Sequence, residues 1–194
     1  MKKKKWIFSM LAILILAALV PTAYAFMFRK SQTVSNNFSP ATVTCQVAET
    51  MSTVTQSGKT YDAKTSVKIQ NTGNVKAWIK VQLVFYWQDS KGVAVGKDIE
   101  LPADFVQDYI HSGWISGGNH TYYYELPVDS LAFTPELLKK SIVLHPVNEP
   151  HNGVDYIYYP VVEVIAEAIQ SEPENVVESS WNVTVTDGKI KSAS

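Results

Sequence analysis

Two long segments of alternating apolar and polar residues limit the possible folds of this chain more than any other feature. In residues 75–87 every odd position is apolar, and lysines stand at even positions. Residues 154–170 alternate in the same way in their second half, where glutamates stand opposite an inner face of Tyr158, Val162, Val164, Ala166 and Ala168. A period of two with many β-branched and aromatic residues predicts strands with one buried face. Because Pro160 cannot donate a backbone hydrogen bond, we expect an edge or a bulge there.

Shorter segments have strand composition at residues 38–47, 64–70, 121–126, 141–144 and 181–185. Turn sequences separate them, and Asn71-Thr72-Gly73-Asn74 is expected to form a tight turn before the first long strand. Short helices are predicted at residues 102–109, 134–140 and 173–180. Strands at short intervals with few helices predict a mainly β protein with a single antiparallel β-sandwich at residues 40–190.

The first 25 residues have the composition of a secretory signal peptide. Four lysines precede an apolar run at residues 6–20, and Ala23-Tyr24-Ala25 supplies small residues for cleavage before Phe26. The alternative is a retained membrane anchor, although the apolar run is shorter than the about 20 residues of a membrane span. We therefore expect a secreted protein that meets the membrane only through the uncleaved signal peptide.

Charge and cysteine content exclude several classes of function. Apart from Lys2 to Lys5 no basic cluster is present, so nucleic acid is not an expected partner. Cys45 is the single cysteine, which rules out an internal disulfide, and its place in a predicted strand favours a buried thiol. No phosphate-binding loop or nucleophile motif is present, so neither a cofactor nor enzymatic activity is expected.

One short segment resembles a metal site. His145, Glu149 and His151 offer two imidazoles and a carboxylate, which are ligands that zinc accepts. The prolines between them forbid the helix on which closely spaced zinc ligands usually lie, so a solvated loop is the favoured interpretation. Exposed aromatic residues would indicate a sugar-binding surface instead, but most of the tryptophans alternate into a predicted core face.

The order of several motifs resembles the TasA and camelysin (CalY) family of exported proteins from Gram-positive bacteria. The resemblance extends over residues 20–182. Its motifs are the junction Ala23-Tyr24-Ala25-Phe26, the strand pair at residues 67–81 around Asn-Thr-Gly-Asn, Tyr122-Tyr123-Tyr124-Glu125, and Val162-x-Val164-x-Ala166-Glu167-Ala168-Ile169-Gln170 followed by Trp181.

This resemblance implies a jelly-roll-like sandwich, cleavage by a signal peptidase of the SipW type, and a place in the extracellular matrix or on the cell surface. In that family, subunits form biofilm fibres by donor-strand exchange, in which the N-terminal segment of one subunit completes the sheet of the next. Residues 26–39 would be this donor segment. Its anchors would be Phe26, Met27, Phe28, Val34 and Phe38.

The expected function is therefore that of a fibre subunit or an accessory subunit, whose partners are further copies of itself or a related matrix protein. A donor segment that folds back onto its own domain, a soluble relative, a camelysin-like metallopeptidase and a sugar-binding surface module remain alternatives. Residues 131–153 have no clear counterpart in the family.

Overall fold

A computed structural model describes residues 40–96, 99–151 and 154–193, apart from the side chain of His151. From Ala41 onwards these residues form one compact unit. Its elements in chain order are β1 (Cys45–Gln56), β2 (Lys59–Asn71), β3 (Ala77–Gln88), β4 (Ala94–Val95), α1 (Phe105–Tyr109), β5 (Trp114–Ser116), β6 (Thr121–Tyr124), β7 (Ile142–Leu144), β8 (Val147–His151), β9 (Val154–Gln170), α2 (Glu174–Trp181), β10 (Val183–Thr186) and β11 (Lys189–Ala193).

The strands form antiparallel sheets, which confirms the predicted mainly β, sandwich-like fold. The first sheet has the order β1-β2-β7. The second has the order β5-β6-β3-β9-β8, with β4 added to the end of β3. A separate ladder joins β10 to β11.

The main core lies between the first two sheets. Val67 and Ile69 of β2 are fully buried in the same cluster as the odd-numbered residues of β3. Apolar side chains meet there because each strand alternates an inward and an outward residue. The predicted inner face of β9 is correct from Val162 onwards: Val162 is buried, and the alternate residues after it pack on this core.

The outer face of β3 is also buried at its start, which differs from the prediction of one buried face. Trp78 is 1% exposed and packs in a second cluster with Tyr123 of β6. Val177 of α2 and Val183 and Ile190 of the β10–β11 hairpin complete this cluster. The C-terminal elements therefore cover the outer face of the second sheet. Trp78, a large apolar residue on that face, would otherwise be exposed to water.

The predicted strand at residues 38–47 is displaced, because β1 begins at Cys45 and continues to Gln56. Residues 38 and 39 lie outside the described part of the chain. The second half of β1 is mostly exposed, so its sequence carries no apolar alternation. The β1–β2 hairpin turns at Ser57 and Gly58, which both have positive φ, as two-residue hairpin turns require.

The predicted helix at residues 134–140 is wrong. This segment runs extended beside β2, and the backbone N–H groups of Thr134 and Leu137 donate to the carbonyls of Ile69 and Val67. Glu136 reinforces the contact, because its carboxylate accepts hydrogen bonds from the Ser66 hydroxyl at 2.9 Å and the Val67 N–H at 3.1 Å. Pairing with an open strand edge thus replaces the internal hydrogen bonds of a helix.

The C-terminal region follows the prediction in part. The helix expected at residues 173–180 is present as α2. The strand expected at residues 181–185 starts later, because Trp181 ends α2 and Asn182 adopts the left-handed conformation that commonly terminates helices. The chain therefore enters β10 only at Val183.

The solvated loop expected around His145 and Glu149 is wrong from Val147 onwards. Val147–His151 forms β8, which pairs antiparallel with the first five residues of β9. β8 is the last strand of its sheet, and proline is tolerated in such edge strands, so Pro150 does not prevent the pairing.

Pro160 lies at an edge, as predicted. The pairing of β8 with β9 ends at Tyr158. From Tyr159 to Gln170, β9 pairs with β3 without a register shift, so the alternative of a bulge does not apply. On the side of β9 that faces away from β3, no described strand pairs with residues 159–170. A proline there removes no hydrogen bond from a ladder.

The contacts of Glu136 predict a pH dependence of stability. Burial raises the pKa of this carboxyl, but hydrogen bonds from Lys68, Ser66 and Val67 outweigh it and hold the pKa below its ordinary value of 4.5. A carboxyl with a lowered folded-state pKa stabilises the protein above its unfolded-state pKa, and that stability is lost as the pH falls through the folded-state pKa. Urea unfolding at about pH 6 and about pH 3 should therefore show a larger loss of stability for the wild type than for Glu136→Gln.

Lys68→Met provides a graded comparison, because it keeps the Glu136 carboxyl and removes the cation 3.0 Å from it. Its loss of stability between the two pH values should fall between those of the other two proteins. Equal losses in all three would contradict the assignment.

Candidate functional site

Two strand edges lie open beside each other on one side of the sandwich. β1 pairs only with β2, and β9 from Tyr159 to Gln170 pairs only with β3, within residues 40–96, 99–151 and 154–193. Burial, and after it the charge of Glu167, raises the pKa of the Cys45 thiol, so the start of β1 lies close to the end of β9. The two edges thus belong to different sheets but flank the same gap.

The inward side chains along this gap are only partly buried. Cys45 and Val47 of β1 and Val164, Ala166 and Ala168 of β9 pack against the main core without being covered by it. Deeper positions such as Val67 and Ile69 are 0% exposed. A half-covered apolar face beside an open strand edge offers backbone groups and apolar surface to a further strand.

A cleft of about 710 Å³ runs along the β9 edge, and we refer to it as the edge cleft. Its wall on β9 consists of every residue from Tyr159 to Ile165 in succession, whereas β1 contributes the alternate residues Glu49 and Met51. Consecutive residues line a cleft only where it follows the backbone, because successive side chains point to opposite faces. The edge cleft therefore exposes backbone of β9 together with side chains of β1 and β2.

A β-bulge places a charged pair inside the edge cleft. The register of β1 and β2 shifts between Thr50, opposite Ser66, and Met51, opposite Lys64. This one-residue shift moves Lys64 from the outer face to the inner face, where it is 2% exposed. Its ammonium donates to Glu49 Oε2 at 2.6 Å, which compensates part of the cost of burying the charge.

The edge cleft carries an excess of negative charge. Its charged lining residues are Glu49, Asp62, Lys64 and Glu163. Lys64 neutralises Glu49, whereas Asp62 and Glu163 form no ion pair within the described part of the chain. Glu163 accepts a hydrogen bond from the Tyr86 hydroxyl at 2.7 Å, which is the main reason that the pKa of Tyr86 is raised. These two carboxylates without an ion-pair partner among the described residues lie on opposite walls, one on β2 and one on β9.

A second cavity of about 540 Å³, here called the aromatic cavity, adjoins the edge cleft. The two share Leu144, Pro160 and Val162 in their walls. The rings of Phe85, Phe105 and Tyr109 also line the aromatic cavity, and Phe105 stacks on Tyr109 with centroids 4.8 Å apart. Such a lining favours large apolar or aromatic groups.

The Asn71–Asn74 turn fixes the point at which the chain enters the domain. The buried Asn71 side chain donates to the carbonyls of Val75 and Val128 and accepts from the Gly73 N–H. The turn also holds the residues before β1, because the Thr42 N–H donates to Asn74 Oδ1 at 2.7 Å. The predicted tight turn is thus also the clamp for the residues that follow the donor segment.

The residues expected for cleavage and strand donation lie outside the described part of the chain. They are Ala23, Ala25, Phe26, Met27, Phe28, Val34 and Phe38.

The residues predicted as candidate metal ligands, His145, Glu149 and His151, are not seen to form a common site. His145 packs edge-on against Tyr61, with ring centroids 4.4 Å apart, and Glu149 lies within β8. The side chain of His151 is outside the description. Among the described residues no group of three or more histidine, cysteine or acidic side chains is arranged to hold a metal ion.

Nothing in the local sequence predicted the charged pair in the edge cleft. A lysine in a strand is usually solvated, and the bulge that turns Lys64 inward depends on pairing that the sequence does not display. The open edge of β9, in contrast, was indicated by Pro160.

Comparison with known proteins yields no match: neither a family model, nor a curated protein, nor a solved structure is significantly similar to the chain. Within the described residues, no helix has the length and hydropathy needed to cross a membrane.

Lys64 should contribute more to stability than a surface lysine does. Lys64→Ala removes a buried alkyl chain and leaves Glu49 without its cation, so we expect a loss of about 2 kcal/mol in the free energy of unfolding. The matched control is Lys68→Ala, whose ammonium is half exposed and pairs with Glu136. It should lose less than about 1 kcal/mol. If Lys64→Ala and Lys68→Ala lost similar unfolding free energy in urea, the buried position of Lys64 would be contradicted.

Proposed function

We propose that this protein is a secreted structural protein whose copies, or copies of a related matrix protein, join into extracellular biofilm fibres by donor-strand exchange. The donor segment of one copy, residues 26–39, would occupy the edge cleft of the next. The observation that carries the proposal is the pair of open edges of β1 and β9 with a half-buried apolar face between them. The family resemblance to TasA and camelysin supports the same function.

Strand addition supplies the energy for such a contact in two ways. Backbone groups of the donor replace water on the N–H and C=O groups of the open edges, and alternate donor side chains fill the gap between the sheets. Phe26, Phe28, Val34 and Phe38 all stand at even positions, so an extended donor segment would present them on one face, which Lys30, Gln32 and Asn36 share. That face would cover Val164, Ala166 and Ala168. Met27 would lie on the opposite face.

The arrangement would produce filaments and not closed pairs. Each copy carries one donor segment and one cleft, and these are different surfaces. A contact between different surfaces repeats from copy to copy and extends without limit unless the rotation closes a ring. Signal peptide cleavage before Phe26 would then control assembly, because it frees the donor segment from the membrane.

Assembly should depend on the donor segment. Mature protein starting at Phe26 is expected to form filaments in negative-stain electron microscopy, whereas protein starting at Pro40 should remain as discrete particles. Replacing Phe28, Val34 and Phe38 together by serine should also abolish filaments, because the inward face loses its apolar groups.

A matched control changes the other face of the same segment. Ser31, Thr33 and Ser35 replaced together by alanine should leave filament formation intact. Discrete particles from the unmodified mature protein would refute self-assembly, and filaments from protein starting at Pro40 would refute the role of the donor segment.

A further inference from the structure

The outer face of the second sheet is buried at one end and open towards the other. α2 and the β10–β11 hairpin pack on the end that contains Trp78 and Ile169. Further along the same face, Ile165 is 48% exposed and Tyr159 is 38% exposed. Large apolar side chains therefore stay in contact with water on a face whose first part is covered, which is typical of an interaction surface.

The register of β3 and β9 shows which side chains share the open part. Successive residues of a strand alternate between faces, so the outward positions are the even residues of β3 and the odd residues of β9. We refer to the even positions of residues 82–88 and the odd positions of residues 159–165 as the tyrosine face. It contains two tyrosines, two glutamines, one glutamate and three aliphatic residues, and it contains no cation.

The two tyrosines, Tyr86 and Tyr159, are neighbours on this face. Tyr86 lies opposite Val161, and Tyr159 lies opposite Gln88, so the tyrosines stand diagonally across the strand pair. Diagonal positions in an antiparallel pair are about 7–8 Å apart, which is within the reach of aromatic side chains. The Tyr86 hydroxyl donates to Glu163 at 2.7 Å, and this bond holds the half-buried ring across the two strands. A ring that is already held in place loses little conformational entropy when a ligand binds.

We propose that the tyrosine face binds a neutral polysaccharide, whose sugar rings stack on Tyr86 and Tyr159. A sugar ring has an apolar C–H face, which packs on an aromatic ring, and hydroxyl groups around its edge, which donate and accept hydrogen bonds. The two tyrosines supply the first kind of contact. The amides of Gln82 and Gln88 and the carboxylate of Glu163 supply partners for the hydroxyl groups. This binding function is additional to fibre formation and does not depend on it.

The charge of the tyrosine face disfavours other classes of partner. Glu163 is exposed and is the one charged residue of the face. A second copy packed face to face, or a lipid surface, would remove water from this carboxylate without supplying a cation, whereas sugar hydroxyl groups replace the lost hydrogen bonds. The nearest outward lysine on β3, Lys80, already pairs with Glu167 at 2.6 Å. Anionic ligands therefore find no unpaired cation on this face.

Calorimetric titration with cellohexaose, a neutral oligosaccharide, tests the inference on mature protein starting at Phe26. The unmodified protein should bind, and Tyr86→Ala and Tyr159→Ala should each weaken the affinity by about tenfold, because each removes one stacked ring. Tyr159→Phe keeps the ring and should retain most of the affinity. Urea unfolding of each variant checks that a loss of binding is not a loss of folding.

Two other tyrosines provide matched controls. Tyr156 is 45% exposed on the same strand, but it stands at an even position and so points to the opposite face. Tyr61 lines the edge cleft together with Tyr159, whereas Tyr86 does not line it. Neither Tyr156→Ala nor Tyr61→Ala should change the affinity. Weaker binding in Tyr61→Ala and unchanged binding in Tyr86→Ala would place the sugar in the edge cleft and overturn the inference.

The same titration separates this inference from the proposed function. Protein starting at Pro40, which lacks the donor segment, should bind cellohexaose as tightly as protein starting at Phe26, whether or not either forms filaments. Binding by the longer protein alone would assign the sugar to the filament and overturn the inference, as would the absence of binding by both. Dimers of the shorter protein, or its binding to phosphatidylcholine vesicles, each lost in Tyr159→Ala and without sugar binding, would assign the face to a second copy or to lipid instead.

Discussion

The pairing of β3 with β9 is the constraint on which the rest of the structure depends. It joins Ala77–Gln88 to the second part of a strand about eighty residues later in the chain, without a register shift. One face of this ladder forms the main core with β2, and the other face receives α2 and the β10–β11 hairpin through Trp78. Because β3 occupies only one side of β9, the same pairing leaves the opposite side of β9 as an edge.

The proposed function follows from that edge and needs no reactive side chain. Under that proposal, backbone groups of β9 and half-buried valine and alanine side chains would bind the extended segment, and strand addition requires nothing further.

The sequence predicted those elements in which burial alternates. The bounds of β9 coincide with the predicted residues 154–170, and its inner face from Val162 to Ala168 is as expected. Predictions were wrong where hydrogen bonds to a neighbouring strand, and not alternating burial, determine the structure. Residues 134–140 have helical composition but hydrogen-bond to β2. The second half of β1 is exposed, so its apolar residues do not alternate with polar ones. The open edges and the inward Lys64 are tertiary properties, so local sequence could indicate only the proline at the edge.

The bulge between β1 and β2 has a consequence for the protein before it meets any partner. A long open edge is a template for any unpaired strand. Lys64 and Glu49 place two charges on the inner wall of that template. An apolar strand from an unrelated or misfolded chain would remove water from the exposed Glu49 carboxylate without replacing its hydrogen bonds, which disfavours amyloid-like stacking. The bulge between two paired strands therefore places a polar group on an otherwise apolar edge.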